Sequence, residues 1–191
     1  MTTTQNDSHP HRPGRVALVA GATGLVGREV VALLLADPAY AAVHTVGRRA
    51  PPLQHPKLQH HAVDFTAEPG LWALPALDEV FIALGTTIKV AGSQAAFRAV
   101  DFDAVLAVAR AARQAGATRL GLVSAMGADA ASRIFYSRVK GEVEAAVSRL
   151  GYSSVVIARP SMLHGDRTAL DQPVRPGEQI ALSNRLSSQA P

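Results

Sequence analysis

The chain has no cysteine, and this absence excludes disulfides, thiolate nucleophiles and cysteine-ligated zinc. Its seven histidines offer no substitute, because no H-x-x-x-H pair occurs on a predicted helix and no carboxylate set stands near them at metal-ligand spacing. We interpret His55, His60 and His61 as loop residues. The sequence therefore predicts a protein without a bound metal.

Long apolar runs and dense runs of one charge are also missing. The apolar run VVALLLA, residues 30–36, falls well short of a membrane span, and residues 1–15 contain no apolar segment of signal-peptide length. The 19 basic and 15 acidic residues give a net charge of +4, but the arginines are scattered and lack interleaved aromatic residues. We expect a cytoplasmic protein with no membrane span that binds no nucleic acid.

What the chain does contain is typical of one globular domain. Hydrophobic residues make up 48% of its 191 residues and charged residues 18%, a balance that favours folding over disorder. This length allows a sizeable core but is short for two domains. We expect residues 1–14, which are polar and rich in proline and histidine, to be a disordered tail. Residues 15–191 are predicted to form a single domain.

Short apolar segments alternate with segments of helical periodicity along most of the chain. Strands are predicted within residues 15–21, 42–48, 58–65, 78–85, 119–125 and 153–160. Helices are predicted from residue 25 to Asp37-Pro38, over 101–115 and over 134–150. Strands that are apolar on both faces and alternate with amphipathic helices indicate an α/β protein with a doubly wound parallel sheet.

The segment G21-A-T-G24-L-V-G27 stands between the first strand and the first helix, where a glycine pattern is typical of dinucleotide binding. Gly21 permits the tight turn, Gly24 lets the backbone approach a pyrophosphate, and Gly27 lets helix and strand pack closely. The same loop places Thr23, Leu25 and Val26 in the predicted cofactor site. The pattern predicts that the doubly wound sheet is a Rossmann-type NAD(P)-binding domain. The alternative is a glycine-rich turn that binds nothing.

The end of the second strand carries Arg48 and Arg49, where an NAD-binding protein usually has an acidic residue for the ribose 2′-hydroxyl. Arginine donates hydrogen bonds and suits a 2′-phosphate, so this position favours NADP(H) over NAD(H). The alternative is a solvated arginine pair in a loop. Asp64, beside Phe65 at the end of the third strand, could reach the adenine amino group, or it could cap the next turn.

Ser124, Tyr136 and Lys140 form a candidate catalytic set. Ser124 ends the fifth strand at the carboxyl edge of the sheet, and the i, i+4 spacing of Tyr136 and Lys140 places both on one helix face. The tyrosine would protonate a carbonyl oxygen, the lysine would lower the pKa of that phenol, and the serine would orient the carbonyl. The alternative is that Tyr136 packs, Lys140 is a solvated residue pairing with Glu144, and Ser124 is merely a strand end.

The spacing GxxGxxG followed by YxxxK resembles the atypical short-chain dehydrogenase/reductases. The segments ALGTTIKVAGSQAAFRAVDF, LVSAMGADAASRIFYSRVKGEVE and ARPSMLHGDR, followed by RPGE, are similar to the Tat-interacting-protein-like subfamily of that group. Together with GATGLVG they cover most of residues 15–178. Relatives normally continue past RPGE with further helical structure, so we expect a short C-terminal segment on the substrate side here.

The resemblance implies roles for residues outside the patterns already described. The fourth-strand end that would line the cofactor comprises Leu84, Gly85 and Thr86, and the chain would pass the nicotinamide at Arg159, Pro160 and Ser161. Ser124, Tyr136 and Lys140 match the catalytic residues of the superfamily and would also contact the cofactor. His164 is a weaker candidate for substrate contact.

These observations predict an NADPH-dependent oxidoreductase that reduces a small carbonyl compound. The alternative is a regulatory protein that binds NADP(H) as a redox sensor and acts through a protein partner without turnover. A homodimer is compatible with either hypothesis.

Overall fold

The computed structural model describes residues 14–65 and 72–161, which build a six-stranded parallel sheet in the order β3-β2-β1-β4-β5-β6. The strands are β1 Arg15–Ala20, β2 Tyr40–Gly47, β3 Leu58–Ala62, β4 Glu79–Ile82, β5 Arg119–Val123 and β6 Ser154–Ala158. The α-helices are α1 Leu25–Ala36, α2 Ile88–Ala91, α3 Gln94–Arg98, α4 Val105–Gln114 and α5 Phe135–Ser148, and a π-helical segment, Ala99–Ala104, joins α3 to α4.

Helices pack on both faces of the sheet, α4 and α5 on one and α1 on the other, because its strands carry apolar residues on both faces. Leu18 and Ala20 of β1 point into a core shared with Val108 of α4 and Val143 of α5. Ala17 and Val19 point the other way, into a smaller core with α1. β2 and β3 lie on one side of β1, and β4 lies on its other side. The strand order therefore reverses between β1 and β4. Ligands of such sheets bind at the carboxyl ends of the strands beside this reversal.

The predicted fold class is confirmed, and each of the six predicted strands has a counterpart in the sheet. Three details were wrong. The third strand ends at Ala62, so Asp64 lies two residues beyond it. His60 and His61 belong to that strand rather than to a loop. The helix predicted from residue 101 begins earlier, at Gln94, and passes through the π-helical segment.

Some predictions fall on residues 1–13 and 162–191, outside the described part of the chain. They are the disordered tail, the RPGE segment with the short substrate-side region, and substrate contact by His164. Within the described ranges, no helix has the length and apolar character that crossing a bilayer requires.

Candidate active site

The glycine turn lies at the point where the strand order reverses. Gly21 has φ +87°, and a Cβ there would lie 2.5 Å from the carbonyl oxygen of Ala83, just past β4. A Cβ on Gly27 would lie 2.0 Å from the Gly21 oxygen. Gly24 caps α1 without a side-chain capping bond, and the first turn of that helix contains no acidic residue. The turn therefore fits an anionic group such as a pyrophosphate.

The other loop residues, Thr23, Leu25 and Val26, lie within the turn or the first turn of α1. Leu25 is buried in the protein, whereas Thr23 and Val26 are half-buried. Backbone atoms of this loop, rather than apolar side chains, are therefore the groups available to a phosphate.

Arg48 and Arg49 follow β2 directly, and both side chains are exposed. The Val63 N–H donates to the Gly47 carbonyl at 3.2 Å, which ties the ends of β2 and β3 together. Asp64, next along the chain, is exposed, while the ring of Phe65 packs edge-on against Trp72 with 5.9 Å between centroids. This corner thus presents two guanidinium groups and one carboxylate beside the carboxyl end of β2.

Ser124 follows β5 directly and is buried, with 7% of its surface exposed. Its N–H donates to the Ala158 carbonyl at 2.8 Å, but its Oγ has no hydrogen-bond partner among the described residues. Leaving a buried hydroxyl unpaired costs about 1–3 kcal/mol. A ligand with a polar atom at this position would remove that cost.

Tyr136 and Lys140 lie one turn apart on α5, as their spacing predicted. The ring of Tyr136 is half-buried against Phe97, with 5.5 Å between centroids. Lys140 is only 5% exposed, and its Nζ lies 2.7 Å from Oδ1 of Asp101. The alternative of a solvated Lys140 pairing with Glu144 is therefore wrong.

Asp101 is a site residue that the sequence prediction missed. It is fully buried in the π-helical segment, and its Oδ2 accepts a hydrogen bond of 2.9 Å from the Thr86 N–H. The carboxylate thereby joins the helix that follows α3, the loop after β4, and α5. A sequence signal existed, since a lysine on the apolar side of a helix needs a buried counterion.

Two glycines allow the elements of the site to approach each other. A Cβ on Gly85 would lie 3.3 Å from Oδ1 of Asp101 and 3.7 Å from Nζ of Lys140. A Cβ on Gly141 would lie 2.1 Å from the backbone nitrogen of Ala130. Gly141, which sequence reasoning also missed, therefore lets the loop that follows Ser124 rest directly on α5. Of the neighbouring predicted residues, Leu84 is half-buried against the larger core.

The segment after β6 contains the last predicted site residues. Arg159 donates from Nε to Oε1 of Glu144 at 3.0 Å, and its Nη2 bonds the other carboxylate oxygen. These hydrogen bonds raise the pKa of Arg159. The Pro160 carbonyl accepts a 3.1 Å bond from the Met126 N–H, and Ser161 is exposed. Glu144, the predicted partner of Lys140, is thus engaged by Arg159.

The histidines of β2 and β3 bond to neighbouring strand residues. Nδ1 of His44 lies 2.9 Å from Nε2 of His61, and Nδ1 of His60 lies 2.9 Å from Oγ1 of Thr45. Across residues 14–65 and 72–161, no group of three or more histidine, aspartate and glutamate side chains has a metal-binding arrangement.

A doubly wound parallel sheet with a glycine turn at the strand-order reversal defines a Rossmann-type NAD(P)-binding domain. A family model described as NAD(P)H-binding matches residues 21–181, and the chain belongs to this family.

Two fungal relatives match most of the chain. It is 37% identical over 162 residues to "Protein FMP52, mitochondrial" of Coccidioides immitis, covering 78% of this chain and 66% of the relative. It is 37% identical over 173 residues to "Protein fmp52, mitochondrial" of Emericella nidulans, covering 87% and 72%. The chain thus spans about two thirds of these relatives. Their names contradict the prediction of a cytoplasmic protein, which rested only on the missing signal peptide and membrane span.

Solved structures share the fold. The oxidoreductase ylbE from Lactococcus lactis superposes with a TM-score of 0.62 at 19% identity, covering 78% of this chain and 70% of that one. The Bordetella bronchiseptica enzyme WbmH, determined in complex with NAD+, gives a TM-score of 0.68 at 17% identity, covering 92% and 63%. At these identities the likeness extends to the fold alone.

Proposed function

We propose that the protein is an NADP(H)-dependent oxidoreductase of the atypical short-chain dehydrogenase/reductase type, within the Tat-interacting-protein-like subfamily, that reduces a small carbonyl compound. The observation that carries this proposal is the buried Lys140, one helical turn from Tyr136, at the sheet edge where the Ser124 hydroxyl has no partner within residues 14–65 and 72–161. A buried ammonium and an unpaired buried hydroxyl both reduce stability, and active sites are where such groups are found.

The residues present fit a dinucleotide. The glycine turn leaves no room for a Cβ at Gly21 or Gly27, and the amino end of α1 has no side-chain cap to compete with a phosphate. We assign the 2′-phosphate to Arg48, with Arg49 adding positive charge, because both are exposed and follow β2. Nicotinamide chemistry supplies a hydride when the reduced cofactor is bound.

The protein's own groups complete the reduction of the carbonyl. Tyr136 donates its phenolic proton to the carbonyl oxygen as the carbon receives the hydride, and the Ser124 hydroxyl donates a hydrogen bond to the same oxygen. Lys140 stabilises the phenolate that remains and, with its other N–H groups, can hold the ribose. The phenolate then recovers its proton from solvent.

The test is NADPH oxidation across a panel of aldehydes and ketones, with wild type, Tyr136→Phe and Tyr152→Phe. Tyr136→Phe keeps the ring against Phe97 and should lower turnover by about a hundredfold or more, while NADPH affinity stays nearly unchanged. Tyr152→Phe is the matched control, because that hydroxyl bonds the Ala109 carbonyl at 2.6 Å and is not part of the candidate site. Full turnover by Tyr136→Phe on a confirmed substrate would reject the mechanism. NADPH binding without turnover of any carbonyl would favour the sensor hypothesis.

A further inference from the structure

We propose that Asp101 is a positioning residue that neutralises Lys140 and thereby keeps Tyr136 protonated to higher pH than a lone lysine would allow. The proposal rests on the function proposed above, since it concerns the proton that Tyr136 would donate. Asp101 would affect the reaction through its contact with Lys140.

Asp101 and Lys140 are both buried and form an ion pair. Asp101 is 0% exposed and Lys140 5%, and 2.7 Å separates Oδ1 from Nζ. Two buried ionic groups at this distance persist as a pair because either one alone would carry a large desolvation cost. Water cannot screen the carboxylate from the ammonium, so each cancels much of the other's field at neighbouring atoms.

The second step concerns the other charges around the pair. On α5, the carboxylate of Glu144 is held by Arg159, and that of Glu142 by Arg98 and Arg138. The loop after β4 contributes the neutral Thr86 N–H to Asp101. Among the described residues, the counterion in contact with Lys140 is therefore Asp101, and neighbouring carboxylates have partners of their own.

The third step is the effect on the phenol. A nearby ammonium favours phenolate and lowers a tyrosine pKa, whereas a nearby carboxylate disfavours phenolate. With both present, the carboxylate offsets part of the effect that the ammonium alone would have on the Tyr136 phenol. Carbonyl reduction needs the protonated phenol, so the carboxylate extends the pH range of reduction upward.

The surrounding structure holds the Asp101 carboxylate in a fixed orientation toward Lys140. A π-helical segment is uncommon and often marks a functional site, and here it contains the carboxylate that contacts the lysine. The second oxygen of Asp101 is fixed by the Thr86 N–H, so the first remains directed at Nζ. Gly85 leaves the space that both groups occupy.

The experiment is a spectrophotometric titration of phenolate, which requires no substrate. The chain has three tyrosines, and burial raises the pKa of Tyr40 to about 12 and also raises that of Tyr152. The phenolate signal that Tyr136→Phe removes is assigned to Tyr136. Circular dichroism at each pH confirms that the protein stays folded.

Asp101→Asn preserves the shape and can still accept the Thr86 hydrogen bond, but it removes the negative charge. We expect the Tyr136 titration to move down by about one pH unit or more. With a substrate in hand, the alkaline limb of the reduction rate should move down equally. Glu142→Gln removes a charge from α5 without contacting Lys140. It should leave the Tyr136 titration and the alkaline limb of the reduction rate unchanged. A purely structural role for Asp101 would change stability without moving the titration, and that result overturns the proposal.

A double variant covers the case in which Asp101→Asn does not fold, because Lys140 would then be buried without a counterion. Asp101→Asn with Lys140→Met removes both charges, and its Tyr136 titration should lie at lower pH than that of Lys140→Met alone. Lys140→Met alone should raise the Tyr136 pKa above that of the wild type. A double variant that titrates together with Lys140→Met overturns the proposal, because it would mean that the Asp101 charge does not act on the Tyr136 phenol. These outcomes are independent of whether any carbonyl is reduced.

Discussion

Gly141→Ala tests whether the loop after Ser124 is held in place by direct contact with α5. The new Cβ would lie 2.1 Å from the Ala130 nitrogen and 2.3 Å from the Asp129 carbonyl carbon. Since an ordinary contact begins at 3.4 Å, the loop must move by about 1.3 Å. That movement also strains the 3.0 Å hydrogen bond from the Asp129 N–H to the Ser137 carbonyl.

The expected magnitude follows from three opposing contributions. Overpacking costs about 1–3 kcal/mol, and weakening one backbone hydrogen bond adds about 1 kcal/mol. Alanine in place of glycine within a helix returns about 1 kcal/mol. We expect a net loss of about 2 kcal/mol in the free energy of unfolding, or about 4–8 °C in melting temperature.

Thermal melting and NADPH oxidation together check this prediction. Turnover should fall more than NADPH affinity, because the displaced loop begins beside Ser124 and not beside the glycine turn. Gly92→Ala is the control: Gly92 has φ +84° with no atom within 4 Å of a built Cβ, so its cost is conformational and remote from Ser124. A Gly141→Ala protein that melts at or above the wild-type temperature would refute the reasoning, since it would show that the loop does not rest on the helix.

Three further predictions follow from other parts of the chain. Arg48→Ala should weaken NADPH binding by about ten- to hundredfold and NADH binding far less, and equal losses in calorimetric titration would exclude a 2′-phosphate contact. Ser124→Ala should increase the free energy of unfolding, measured in urea, by about 1 kcal/mol while lowering turnover, because it removes a buried hydroxyl that has no partner in the described part of the chain; destabilisation would contradict this. Burial lowers the pKa of His44 and of His61 below 6.5, so the unfolded chain binds protons more readily and stability should fall as pH drops through about 6.5. His44→Gln should reduce that slope in pH-dependent melts, and an unchanged slope would exclude His44 as its source.

The sequence predicted the sheet well because its signals are local. Each strand is a short apolar run next to a helical pattern, and the glycine turn depends on residues within one βα connection. The proximity of Tyr136 and Lys140 on α5 also followed from spacing alone. The catalytic and cofactor roles given to these residues remain predictions.

Contacts between distant segments were not predictable in the same way. Asp101 and Lys140 are 39 residues apart, and their contact depends on how a π-helical segment orients the carboxylate. Gly141 has an ordinary helical sequence context, and only the approach of residues 128–130 explains it. The short helices α2 and α3 did have local signals, since Thr87 and Ser93 accept capping bonds of 3.1 Å from Val90 and Ala96, but these helices lack a long apolar stripe.

The π-helical segment makes the site sensitive to the length of the chain as well as to its composition. An α-helix turns by about 100° per residue, so deleting the exposed Asp103 would rotate everything before it by roughly a quarter turn relative to α4. Phe97 would then lose its contact with the ring of Tyr136, and Asp101 would lose its contact with Lys140, although all four residues would still be present. Asp103→Ala, which keeps the length of the chain, should preserve the Phe97–Tyr136 and Asp101–Lys140 contacts. In this part of the protein, the number of residues therefore determines whether Asp101 and Lys140 meet, even when both residues are kept.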